Sequence, residues 1–137
     1  MKKSFAIIFI VIGILGYLLT GCAKQTDTTP DSVTRSSYLG RWSVTESWTK
    51  LTYEVNITAD PGSSDGVFIS NFANTGSSAT PAGAVVKGSS IILDANQVIS
   101  GITINGSGSL SGTTINWNYT LNNGADLINA VAIYSKI

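Results

Sequence analysis

Few side chains in this chain can do chemistry, and their spacing narrows what that chemistry is. Glu46 follows Trp42 and Val44 at alternate positions, so in an extended strand its carboxylate shares a face with the tryptophan. An inward acid in such surroundings can serve as a proton donor or as a clamp for a ligand. At the very end of a strand the same residue would instead reach solvent. Glu54 alternates onto a polar face, while Asp60, Asp65, Asp94 and Asp126 fall among turn residues, where aspartate accepts local hydrogen bonds. A calcium loop needs a denser oxygen array than Asp60 to Asp65 supplies. The chain has no histidine, which is both the commonest general base and the commonest transition-metal ligand. Serines are plentiful, but no base is placed beside one by sequence to activate it. The residue set points away from an enzyme and assigns no catalytic residue, metal or cofactor.

The single cysteine closes the run Leu19-Thr20-Gly21-Cys22. Lys2 and Lys3 precede an apolar stretch from Phe5 to Leu19, and small residues follow it. This is the anatomy of a secretory signal. The stretch is shorter than the about 20 apolar residues a membrane span needs, and Gly13 and Gly16 interrupt it. Leu19 to Cys22 resemble the bacterial lipobox, in which the signal is removed and the new N-terminal cysteine is lipidated. The resemblance implies a cleaved signal over residues 1–21 and a membrane held as partner through lipid on Cys22. Each buried CH₂ contributes about 0.8 kcal/mol, and more than one chain gives stable attachment. A lipidated cysteine has no thiol left for a disulfide or a metal. Ala23 stands where an aspartate would resemble an inner-membrane retention signal, so the outer membrane of a Gram-negative cell is the implied address.

Without residues 1–21, six lysines and arginines face eight acids, a net charge of −2. The bases are scattered and cannot neutralise a row of phosphates, so nucleic acid is not an expected partner. Residues 22–37 are rich in Ser and Thr, with Val33 the one β-branched apolar residue, and read as a flexible tether behind the lipidated cysteine. Residues 38–137 are long enough for one domain with a single core.

These chemical groups must be positioned by strands, because from Tyr38 onward the apolar period is two. Leu51, Tyr53, Val55 and Ile57 alternate with polar residues, as do Ile115, Trp117, Tyr119 and Leu121. Further strands are expected over Trp42–Trp48, Val67–Phe72, Ala84–Lys87, Ser90–Leu93, Val98–Ile104, Ser107–Leu110 and Leu127–Tyr134. Asn105-Gly106 and Asn123-Gly124 carry the signature of tight hairpins, and Asp60-Pro61-Gly62 with Asp65-Gly66 brackets another turn. No helix-period stretch follows the signal, and Ala73–Gly83 reads as one long loop. The pattern predicts an all-β domain, an antiparallel up-and-down meander of eight or nine strands. A closed barrel and a two-sheet sandwich both fit. Closure removes exposed strand edges and favours the barrel.

Gly40-Arg41-Trp42 at the start of the first strand, with Lys136 in the last, resembles the calycin barrels: lipocalins, fatty-acid-binding proteins and avidins. The resemblance implies that Trp42 plugs one barrel end beneath a basic residue, a place Lys136 can fill. Tyr38–Trp42 and Val67–Phe72 also resemble small Gram-negative lipoproteins of no established activity. No carboxylate clamp of paired arginines can be assembled, since Arg41 is the one arginine past the tether. Trp42, Tyr53, Trp117, Tyr119 and Tyr134, with Glu46, are the candidate ligand-facing residues. An eight-stranded barrel is just wide enough to be filled by side chains or to hold one small ligand. The function expected is therefore a non-catalytic envelope lipoprotein that binds a small ligand or an envelope protein, or serves as a structural module. The alternative is a carrier of a small apolar molecule inside a lipocalin-like barrel, with Ala73–Gly83 as its mouth or lid.

Overall fold

The structure is a computed structural model that describes residues 32–137. The expected signal, Cys22 and the expected tether before Ser32 lie outside the described residues. One helical turn, α1 (Arg35–Tyr38), leads into nine antiparallel strands. These are β1 (Gly40–Glu46), β2 (Thr52–Ala59), β3 (Gly66–Ser70), β4 (Ala82–Lys87), β5 (Ser90–Leu93), β6 (Gln97–Ile99), β7 (Ile102–Ser111), β8 (Thr114–Asn122) and β9 (Leu127–Lys136).

Neighbours in sequence are neighbours in space, with one exception. β5 passes over β6 and pairs with β7 through Ser90↔Ser109 and Ile92↔Ser107. β1 pairs with β9 through Trp42↔Lys136, Val44↔Tyr134 and Glu46↔Ala132. These two pairings close an eight-stranded barrel, and β6 lies outside it, hydrogen-bonded to β7. The first strand meeting the last rules out the open-edged sandwich.

Alternation places one side chain in two inside. Trp42, Val44, Val55, Ile57, Val67, Ile69, Ile91, Ile104, Ile115, Trp117, Ala132 and Tyr134 converge on one buried core. Burial of such side chains, about 1.5–3 kcal/mol each, is what holds the wall shut. The outer faces of β7 and β8 carry Ser107, Ser109, Asn116 and Asn118, which leave the sheet wet on that side.

Several boundaries differ from the pattern. β1 ends at Glu46, so Trp48 sits in the following turn and is 49 % exposed. Leu51 precedes β2 and is 50 % exposed rather than inward. Asn105-Gly106 is not a hairpin but the middle of β7, which runs unbroken through the expected gap. A Cβ on Gly106 would collide with the Asn118 carbonyl and with Tyr119 across the strand pair, so the glycine serves close backbone approach rather than a turn. The true break in that region lies between β6 and β7, where Ser100 and Gly101 have φ of 50° and 80°, the positive values of a type I′ turn. Asn123-Gly124 does lie between strands, in a connection where the Asn123 N–H donates to the Asp126 carbonyl.

The compact unit takes in residues from Ser32 onward. Val33 packs against the core, and Arg35 Nη1 donates to the Ser63 carbonyl at 2.5 Å. The last residues assigned to the tether by composition are thus fastened to the barrel. Polar composition missed this because the fastening depends on carbonyls in the β2–β3 connection.

Candidate functional site

The two ends of the barrel are built from different chemistry. At the end where β1 begins, Trp42 is completely buried and its Nε1 donates to the Tyr38 carbonyl at 2.8 Å. Tyr38 is buried beside it and donates from Oη to the Gly88 carbonyl in the β4–β5 turn, at 2.9 Å. Burial pushes the Tyr38 phenol up to about 12. Lys136 lies outside, its Nζ 5.3 Å from the centre of the Trp42 ring and 2.9 Å from the Ser37 carbonyl to which it donates. Its stem covers the aromatic face while the charge stays wet. Every polar group named here has a partner.

At the opposite end, Glu46 closes β1 and is 1 % exposed. An acid at a strand end is expected to reach solvent; the turn Ser47–Lys50 folds back over Glu46 instead, with the Lys50 N–H donating to the Glu46 carbonyl at 3.0 Å. Tyr119 Oη donates to Glu46 Oε1, and Thr49 Oγ1 donates to Oε2 at 2.9 Å. Tyr53 Oη makes a longer contact to Oε1 at 3.5 Å. Burial, followed by its hydrogen bond to Glu46, drives the Tyr119 phenol far above its ordinary range. Burial and then the Glu46 charge raise Tyr53 likewise. Tyr134 is raised chiefly by complete burial, with Tyr53 and Glu46 adding to it. All three phenols are therefore protonated donors at neutral pH.

Aromatic rings complete this end. Phe72 meets Trp117 edge-on at 5.5 Å between centroids and Tyr119 at 4.9 Å, and Trp117 stands 5.6 Å from Tyr134. Trp117 Nε1 and Tyr134 Oη are buried with no hydrogen-bond partner. Buried polar groups are nearly always paired, so two orphans in one cluster call for a reason. Phe72, expected to close the strand before the Ala73–Gly83 mouth, instead opens a 3₁₀ turn (Phe72–Asn74) after β3 ends at Ser70, and its ring is buried as a stopper.

Glu46, Tyr53, Trp117, Tyr119 and Tyr134 are thus brought together, whereas Trp42 and Lys136 stand at the other end. Thr49 and Tyr38 were not anticipated, because their roles depend on where a turn and a helical turn fold back. An open depression of about 400 Å³ in the wall is lined by Asn105, Asn118, Tyr119, Thr120 and Asn129. The fold and this site define a small closed β-barrel with one plugged and one polar end. In comparisons with protein-family models, curated proteins and solved structures, no match to the chain is found.

Proposed function

We propose that the protein is a lipid-anchored, non-catalytic envelope protein whose barrel is a binding module that opens at the Glu46 end. The observation that carries the binding role is the asymmetry of the two ends. One end is sealed by a buried tryptophan with all its polar partners met. The other keeps a buried carboxylate and two unpaired polar atoms beneath two connections. Unsatisfied polar groups are costly in a structural plug and useful in a recognition site. The anchoring part rests on the lipobox-like Leu19–Cys22, and outer-membrane placement rests on Ala23.

Hydrogen exchange tests the asymmetry. Amides of 47–51 and 71–81 are expected to exchange through local opening, and those of β1 near Trp42 through global unfolding alone. Equal protection at both ends would remove the mouth. Anchoring is tested separately by detergent phase partition and membrane fractionation. Cys22→Ala is expected to shift the protein out of the outer-membrane fraction, and unchanged processing and retention would overturn the lipid assignment.

A further inference from the structure

A buried carboxylate needs a cation, a metal or enough donors to carry its charge. Glu46 has hydroxyl neighbours in Tyr119, Thr49 and Tyr53. Among the described residues the ion pair is Arg41–Glu54, on the outer wall, and no lysine or arginine pairs with Glu46. The Tyr119 ring, whose hydroxyl meets the carboxylate, packs on Phe72, and through Phe72 the aromatic cluster runs on to Trp117 and Tyr134. Ring faces attract cations, and most strongly where water is excluded. Trp117 Nε1 and Tyr134 Oη supply unused donors in the same cluster.

The two connections over this end hold four residues other than glycine in the left-handed region. They are Lys50 at φ 57°, Asn71 at 60°, Ala73 at 52° and Asn74 at 56°. Asparagine tolerates this region; lysine and alanine are held there by their surroundings. Such strain collects at ligand clamps and switch segments. Ala73 adjoins the stopper Phe72, and Lys50 adjoins Thr49, so relaxing either residue would withdraw a group from the carboxylate's surroundings.

We propose that this end of the barrel binds the ammonium group of a small amine that also carries an oxygen acceptor, with the strained connections opening to admit it. The inference rests on the barrel being a binding module. Glu46 takes the positive charge, the rings enclose it, and the ligand oxygen accepts from both Trp117 Nε1 and Tyr134 Oη. An anion would be repelled by the carboxylate. A purely apolar molecule would leave the carboxylate uncompensated and both donors unpaired.

Ethanolamine is the probe, and the indole N–H resonance of Trp117 in the full-length protein is the readout. A saturable shift is expected with ethanolamine and none with ethylene glycol, its neutral counterpart of similar size. Glu46→Gln keeps the shape and one acceptor oxygen but removes the charge, and should weaken binding by about tenfold or more. Glu54→Gln on the outer wall should change nothing. Glycerophosphoethanolamine separates two sources of the same group: tighter binding than ethanolamine assigns a lipid headgroup, and weaker binding assigns a free amine. Absence of a saturable shift with both amines, or equal affinity in Glu46→Gln, overturns the proposal. Equal binding of ethylene glycol overturns the cation assignment while leaving the binding module standing. Should Glu46→Gln fail to fold, Tyr134→Phe decides. Several-fold weaker ethanolamine binding supports the proposal, and unchanged binding overturns it.

Discussion

The end that carries Trp42 and the end that carries Glu46 are cut from the same strand, yet they are closed by different forces. Trp42 and Glu46 both point inward from β1, separated by Val44. At the first, a large ring fills the space and its one polar atom bonds to a carbonyl close by in sequence. At the second, the contacts come from β8 and from the turn after β1, and hydroxyls set among aromatic rings meet a buried carboxylate. The lesson is that one alternating strand can finish a core at one end and begin a site at the other. What separates the two is whether the polar groups are all met.

The comparison breaks most easily at the plugged end. Trp42→Ala should cost about 3–5 kcal/mol, the range for truncating a buried aromatic, read as a lowered midpoint of urea unfolding. A cost no larger than that of an exposed residue would deny Trp42 its role. At the polar end, Glu46→Ala strips the acceptor from Tyr119 and should cost about 1–3 kcal/mol, the penalty of a buried unpaired donor. Adding Tyr119→Phe to that variant should cost less than the two single changes together, because both partners are then gone. Strict additivity would show that the hydroxyl and the carboxylate do not act as a unit.

Alkaline titration sharpens the contrast. The folded phenols are raised above their unfolded values near 10, so their contribution is fully present below pH 10. It is lost as pH climbs through the folded values. Tyr38, at about 12, should ionise first, and Tyr119 and Tyr134 only as the barrel opens. Tyrosine-labelled NMR spectra recorded against pH check that order. The smallest effect is expected for Lys136→Met, which keeps a covering stem over Trp42 and loses the charge. About 0.5–1 kcal/mol should go, the worth of an exposed cation near a ring.

Much of this architecture was legible in the residue pattern, because alternation is a local property. β2 and β8 stand where the alternating runs placed them, and closure followed from strands that would otherwise have bare edges. Glu46 was legible as inward by its phase with Trp42. Its partners were not, since Tyr119 lies 73 residues away and meets it only once β9 bridges β8 to β1. Gly106 misled for a physical reason: a glycine beside asparagine serves a tight turn or a close approach, and local sequence does not separate them. Trp48 and Leu51 continue the apolar alternation but fall outside the strands, because the chain must reverse between Glu46 and Thr52. Fastening of α1 could not be read from composition, since it is carbonyls that receive Arg35.

The meeting of β1 and β9 carries one more consequence. The Ile137 N–H donates to the Arg41 carbonyl at 3.2 Å, so the end of the last strand and the start of the first lie side by side. A ring of strands has no privileged starting point. A circular permutant that links Ile137 to Tyr38 and opens the chain between Gly112 and Thr113, in the turn that joins β7 to β8, preserves every strand pairing in the wall. The order in which the strands are written along the gene is thus a matter of history rather than of architecture.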